Sequence, residues 1–150
     1  MPCLSNFNDL PIIDFRVAVC YPFFMAPKRI LIIDDDPDLT VLYEKQFAEA
    51  GFEVEILKEG KSALSRIKRY SPDLILLDVL LDHTNGLDLL KEIKADPATS
   101  SIPVYVLSNV AEEVSLNKAM GLGAHEYLTK IEYSPQDIVN HIQQHFRESQ

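Results

Sequence analysis

Four apolar runs in this sequence end in side chains that could act together on a charged ligand. Asp34 and Asp35 follow the first run, Asp78 ends the second, Ser108 ends the third and Lys130 comes shortly after the fourth. Clustered carboxylates repel one another and burial adds to the cost, so they need a cation to compensate them. Oxygen ligands without cysteine or histidine favour a hard ion, above all Mg²⁺. With the hydroxyl and the ammonium added, the set could hold a phosphoryl group.

These side chains can meet only if the runs before them are strands of one sheet. Apolar segments alternate with helical patterns from Arg29 onward, which is typical of a parallel sheet wrapped by helices. We predict strands at 30–33, 53–57, 74–77, 104–107 and 124–128. The segment 53–57 alternates between apolar and polar residues, so it should be an edge strand. In such sheets the site lies beyond the carboxyl ends of the strands.

Helical patterns connect the predicted strands. We predict helices at 37–50, 60–70, 86–95, 111–120 and 135–146. Asp36 should cap the first and Ser134 the last, and Val114 and Met120 should face inward from the fourth. Five strands and five helices with right-handed crossovers predict an α/β fold, a doubly wound parallel sheet with the flavodoxin-like strand order 2-1-3-4-5.

Composition excludes several classes of protein. The 150 residues, 47% apolar and 25% charged, fit one globular domain. A net charge of −9 repels the phosphate backbone of nucleic acids, so we expect no nucleic-acid partner. No apolar stretch reaches the roughly 18 residues of a membrane span. We therefore expect no membrane partner. Because Cys3 and Cys20 fit neither a disulfide framework nor a metal site, we expect a cytoplasmic protein.

Residues 1–25 differ in pattern from the rest of the chain. They carry few charges and no sustained period, and acidic residues interrupt their apolar stretches, so they do not resemble a signal peptide. Met25 begins a second plausible chain start just before the first strand. We therefore expect 1–25 to be an N-terminal extension, either disordered or a non-native start, and 26–150 to form the domain.

Residue types, strand positions and spacings together resemble the response-regulator receiver family, over nearly all of the chain after the extension. The acidic pair of the family matches Asp34 and Asp35, and its phosphoacceptor aspartate matches Asp78. Its hydroxyl residue matches Ser108, thirty residues further on, and its lysine matches Lys130. The match is specific because all of these positions agree at once.

The resemblance implies a phosphorylation switch in two-component signalling or a phosphorelay, rather than an enzyme with a separate substrate. Asp78 would take a phosphoryl group from a sensor histidine kinase, a histidine phosphotransfer protein or a small acyl phosphate. Asp35, Asp78 and the backbone carbonyl of Leu80 would hold Mg²⁺, with Asp34 acting mainly through water. Lys130 would pair with the phosphate.

Ser108 and Tyr127 are the switch residues that the resemblance implies. Ser108 would swing to a phosphoryl oxygen, and Tyr127 would turn inward into the space that it leaves. The change would be read on the last two helices and the strand between them, where an unknown downstream protein, or a second copy in a homodimer, could bind. With no output domain expected after the last helix, the signal would pass by binding.

The sequence departs from the family pattern around the site. Ile131 stands where a proline usually follows the lysine, which leaves a cis or a trans Lys130–Ile131 bond open, although a non-proline cis bond costs about 3 kcal/mol. The positions that influence hydrolysis in the family hold Leu80 and Val110, and neither side chain can orient a water molecule. We therefore expect slow self-dephosphorylation.

Two other functions remain open from the sequence. Asp36, Asp38 and Thr40 match the nucleophile motif of haloacid-dehalogenase-like phosphatases, but that motif should follow the strand directly, and Asp34 and Asp35 intervene. A receiver-like adaptor that is never phosphorylated is the other alternative. An adaptor has no use for a costly cluster of acids, so we favour the phosphorylation switch.

Overall fold

The computed structural model describes residues 26–109 and 111–149; the predicted extension 1–25 and Val110 lie outside the described residues. The strands are β1 (Arg29–Ile33), β2 (Glu53–Leu57), β3 (Leu74–Asp78), β4 (Leu80–Leu81), β5 (Thr84–Asn85), β6 (Val104–Ser108) and β7 (Glu126–Thr129). The helices are α1 (Pro37–Glu49), α2 (Ala63–Tyr70), α3 (Gly86–Ala95), α4 (Glu113–Gly121) and α5 (Pro135–Glu148). Of these helices, none combines the length and the apolar character needed to cross a bilayer.

Five strands form one parallel sheet in the order β2-β1-β3-β6-β7. When the short strands β4 and β5 are left out, this is the predicted order 2-1-3-4-5, which is confirmed. The alternating strand β2 lies at an edge, as predicted. All side chains of β3 and β6 are buried, because these central strands are covered on both faces.

The core lies in two clusters, one on each face of the sheet. Leu31 and Ile33 of β1 pack with apolar side chains of α2, α3 and α4, whereas Ile30 and Ile32 pack with those of α1 and α5. Each fully buried Leu or Ile contributes about 2 kcal/mol. Packing on both faces holds the central strands in place, and with them the positions of their carboxyl ends.

Local capping determines where two of the helices begin. Asp36 caps α1, because its carboxylate accepts hydrogen bonds from the N–H groups of Asp38 and Leu39. Ser134 and Asp137 form a capping box at the start of α5. Both caps were predicted from the sequence. The first makes the chain turn into a helix immediately after the acidic pair that follows β1.

Helix α4 corrects one prediction. Val114 and Met120 were expected to face inward, but their side chains are 76% and 43% exposed. Only Ala119 is buried within this helix, and Leu122 packs against the core just after its end. The prediction failed because the helix approaches the sheet through a small residue, which turns its larger apolar residues toward solvent.

Gly86, the first residue of α3, provides a direct test of how closely this part of the fold is packed. A Cβ atom here would lie 2.1 Å from the carbonyl oxygen of Asp78 and 2.8 Å from the Cα of Val79. Because backbone atoms cannot rotate away, Gly86→Ala should lower the free energy of unfolding by about 2–3 kcal/mol in urea titrations. Gly121→Ala is the control, since its Cβ would meet nothing within 4 Å. Equal effects of the two substitutions would contradict the close approach.

Candidate functional site

The carboxyl ends of β1, β3, β6 and β7 meet at one edge of the sheet and carry the predicted site residues. Asp34 follows β1, Asp78 ends β3, Ser108 ends β6 and Lys130 follows β7. Parallel pairing places Ser108 opposite Thr129, and the N–H of Lys130 donates to the carbonyl of Ser108 at 2.7 Å. Residues almost a hundred positions apart in the chain are thereby brought together.

A buried ammonium lies between two buried carboxylates at the centre of this edge. Lys130 Nζ is 2.8 Å from Asp34 Oδ2 and 3.3 Å from Asp78 Oδ2. The exposed fractions of the three side chains are 9%, 1% and 7%, respectively. With so little water to screen them, these charges interact far more strongly than a surface ion pair would.

Burial and neighbouring charge change the acidity of these groups. Burial raises the pKa of Asp78 to about 6, although the charge of Lys130 and the N–H of Leu80, 3.3 Å from Asp78 Oδ1, oppose it. Burial by itself would lower the pKa of Lys130, but hydrogen bonds and charge from Asp34 and Asp78 raise it overall. The lysine is therefore a fixed positive charge, whereas Asp78 can change its protonation near neutral pH.

Backbone N–H groups orient the acidic pair. The N–H of Asp36 donates to Asp34 Oδ1 at 3.0 Å, and the N–H of Asp82 donates to Asp35 Oδ2 at 2.9 Å. The second bond joins the loop after β1 to the turn between β4 and β5, which pair as an antiparallel hairpin. Both carboxylates are thus held in position before any ligand arrives.

The β4–β5 hairpin is the part of the site that sequence reasoning missed. Its turn is Asp82–His83, without the glycine or Asn-Gly pair that usually marks a two-residue turn. His83 adopts a left-handed φ of 62°, which costs a non-glycine residue about 1 kcal/mol. Without such turn residues the sequence carries no local signal for this hairpin.

The acidic cluster matches the donors that a divalent hard cation requires. Asp34, Asp35 and Asp78 each offer one carboxylate oxygen, and these oxygens all lie within 4.8 Å of one another. One ammonium, that of Lys130, pairs with Asp34 and Asp78, so about two of the three negative charges are left uncompensated. Carboxylate oxygens are the preferred ligands of Mg²⁺, and the charge balance calls for a divalent ion. The residues present therefore fit the predicted cofactor.

The remaining predicted residues surround this centre. Ser108 and Tyr127 are both buried, and Tyr127 on β7 pairs in register with Val106 on β6. Leu80 and Ile131 expose most of their side chains at the mouth of the site. Every described peptide bond is trans, so the bond that was left open between Lys130 and Ile131 is trans.

Comparison with known proteins places this geometry in a family. A family model, the response regulator receiver domain, matches residues 30–143, which is well over half of the chain. The chain belongs to the response-regulator receiver family. One relative of this receiver is the DNA-binding response regulator MtrA of Mycolicibacterium smegmatis, 29% identical over 123 residues, with 82% of this chain and 52% of MtrA covered. The receiver spans about half the length of the curated relatives it matches.

Solved structures agree with this assignment. The phosphorylated cyanobacterial phytochrome response regulator RcpA is 29% identical to this receiver with a TM-score of 0.73, covering 83% of this chain and 97% of RcpA. The Mn²⁺-bound form of response regulator Rcp1 is 30% identical with a TM-score of 0.69, covering 78% and 92%. Receivers of this family bind Mg²⁺ at an acidic pocket, and response regulators interact with histidine kinases.

Proposed function

We propose that this receiver is a phosphorylation-activated signalling switch, with residues 26–150 as its working unit and Asp78 as the phosphoacceptor. The single observation that carries the proposal is the position of Asp78. Its carboxylate ends the central strand β3, lies 3.3 Å from a buried lysine ammonium and shares one sheet edge with two further carboxylates. A phosphohistidine on a sensor histidine kinase or a histidine phosphotransfer protein would be the physiological donor.

In the proposed transfer, a carboxylate oxygen of Asp78 forms a bond to phosphorus as the bond between phosphorus and the donor histidine nitrogen breaks. The histidine ring leaves with the bonding electron pair and is protonated by solvent, and Asp78 becomes an acyl phosphate. With a pKa of about 6, Asp78 is mostly the carboxylate that this attack requires at neutral pH. Lys130, already fixed beside Asp78, would then pair with a phosphoryl oxygen.

Asp35, Asp78 and the backbone carbonyl of Leu80 would hold Mg²⁺, with Asp34 acting mainly through water. The bound ion would supply positive charge next to the phosphoryl oxygens. The carboxylate oxygens that lie within 4.8 Å of one another support this assignment, and so does the Mn²⁺-bound state of the similar Rcp1.

Ser108 and Tyr127 would transmit the change. Ser108 ends β6 beside Lys130, and its hydroxyl would donate a hydrogen bond to a phosphoryl oxygen on Asp78. Tyr127 lies on the neighbouring strand β7 and would move into the space that Ser108 leaves. The surface affected is that of α4, β7 and α5, which we call the output face, and a downstream protein would bind there.

Incubation with acetyl phosphate and Mg²⁺, followed by mass spectrometry of the intact protein, tests the proposal. Wild type should gain the mass of one phosphate, and Asp78→Ala should gain none. Asp82→Ala is the matched control, because this exposed residue uses its backbone N–H rather than its side chain to reach Asp35. An unmodified wild type, or an undiminished adduct on Asp78→Ala, would overturn the proposal.

This experiment and a phosphatase assay together separate the two alternatives. An adaptor would take up no phosphate, whereas a phosphatase would turn over a phosphomonoester and lose this activity in Asp36→Asn. The carboxylate of Asp36 already accepts hydrogen bonds from the N–H groups of Asp38 and Leu39 as the cap of α1. This engagement disfavours Asp36 as a nucleophile.

We expect slow self-dephosphorylation of Asp78 because the nearby side chain of Leu80 is apolar and 61% exposed. It offers no hydrogen bond to a water molecule that attacks the phosphate, so the phosphorylated protein should persist well beyond seconds. Leu80→Gln should speed hydrolysis roughly tenfold by orienting that water. Val41→Gln, at a residue 66% exposed on α1, is the control. A wild-type phosphate lifetime of seconds would refute the expectation.

A further inference from the structure

The output face contains a cavity of about 300 Å³ between α4, β7 and the loop before α5. Its floor is formed by the buried side chains of Tyr127 and Thr129, and its wall by Leu116 and Tyr133. Met120, four residues after Leu116 on the same side of α4, extends the exposed apolar surface outside the cavity. An apolar patch beside a cavity of this size can receive one large side chain of a partner.

The rim of the cavity is acidic. Glu112, Glu113 and Glu132 are exposed at its edge, and their carboxylates form no ion pair or hydrogen bond with the residues that the structure describes. By contrast, the carboxylate of Glu126 on β7 lies 2.9 Å from His141 Nε2. Glu113 stabilises the start of α4 as an acidic first-turn residue. Glu132 comes from a different loop and has no such role, so the three negative charges converge on the cavity itself.

We infer that the cavity receives a segment of a partner protein in which an apolar anchor residue is flanked by lysine or arginine. The inference rests on the proposed function, because movement of Tyr127 in the cavity floor is what would make this binding respond to phosphorylation. The anchor would lie on Leu116 and Tyr127, and the basic residues would face the three glutamates. A second copy of the chain fits poorly, because a two-fold interface would set these glutamates against themselves.

Selection from a random peptide library displayed on phage, against the full chain with and without acetyl phosphate and Mg²⁺, tests this inference. Recovered peptides should carry Lys or Arg next to a large apolar residue. Binding of the best peptide should weaken at least tenfold in a Glu112→Gln/Glu113→Gln/Glu132→Gln variant, and it should weaken as salt rises. The matched control neutralises three exposed glutamates elsewhere, Glu44, Glu49 and Glu92, and should leave binding unchanged.

Several results would overturn the inference. These are the recovery of no peptides, the recovery of acidic or uncharged peptides, or equal effects of the two triple variants. A dimer in sedimentation experiments that dissociates in Leu116→Asp would assign the face to a second copy instead. The outcome is separable from that of the proposed function. A phosphate adduct without basic peptides defeats only this inference, and basic peptides without an adduct defeat only the switch.

Discussion

Asp78→Asn is expected to abolish the phosphate adduct and, in the same protein without metal, to raise the free energy of unfolding by about 1–3 kcal/mol. An amide cannot act as the attacking carboxylate, so phosphorylation is lost completely. The gain in stability has a separate cause. Burial raises the pKa of Asp78 to about 6, which means that the ionised form destabilises the folded state. The variant removes that charge from the neighbourhood of Asp34.

The stability difference between Asp78→Asn and wild type should depend on pH in a definite direction. An aspartate in the unfolded chain has a pKa of about 3.9, so between about pH 4 and pH 6 the folded state binds more protons than the unfolded state. The contribution of Asp78 to the free energy of unfolding of wild type therefore falls as pH rises through that window and is constant above it. The Asn variant lacks this loss, so its advantage over wild type grows between about pH 4 and pH 6.

Urea unfolding with EDTA across that pH range measures the difference, and Asp82→Asn is the exposed control. A variant less stable than wild type at neutral pH would show that the Asp78 charge is fully compensated without metal. Adding Mg²⁺ should stabilise wild type and leave Asp78→Asn much less affected, because a ligand that binds only the folded state stabilises it. Lost phosphorylation together with raised stability also distinguishes a direct chemical role from simple unfolding.

Lys130→Met should have the opposite effect and lower the free energy of unfolding by about 3 kcal/mol without metal. The variant leaves Asp34 and Asp78 buried and close together without the ammonium that lies between them. Removing one partner of a buried ion pair costs much more than the pair contributes, because the other charge stays desolvated. Protonation of Asp78 limits the loss, so the variant should be least unstable at low pH.

A double-mutant cycle checks this explanation. Adding Asp34→Asn to Lys130→Met should recover part of the lost stability in urea titrations, because it removes one of the two uncompensated charges. Lys45→Met, at an exposed lysine of α1, should change the free energy of unfolding by less than about 0.5 kcal/mol. If Lys130→Met proved as harmless as the control, the ammonium would not be needed to hold the acidic cluster.

The sheet and the convergence of Asp34, Asp78, Ser108 and Lys130 were predictable from the sequence because two simple patterns coincide. Strands covered on both faces have continuous apolar sequences, and parallel strands bring their carboxyl ends to one edge. The helix caps were predictable because capping depends on residues within one turn, as at Asp36. Each of these features is local or follows from the topology.

Other features depend on contacts that no local pattern encodes. The hydrogen bond from Asp82 to Asp35 joins residues 47 positions apart through a turn with no turn signature. The outward orientation of Val114 and Met120 depends on how closely α4 approaches the sheet. The raised pKa of Asp78 depends on burial, which only the packed structure defines.

Helices α4 and α5 flank the same strand but differ greatly in how many side chains each buries against the sheet. Ala119 is the only buried side chain within α4, whereas α5 buries Ile138, Val139 and Ile142. At about 0.8 kcal/mol for a methyl group and about 2 kcal/mol for a larger aliphatic side chain, the fully buried side chains hold α4 much less strongly than α5. If the proposed switch operates, a new bond from Ser108 to a phosphate would displace α4 more readily than α5, and α5 would be the fixed reference against which a partner senses the displacement.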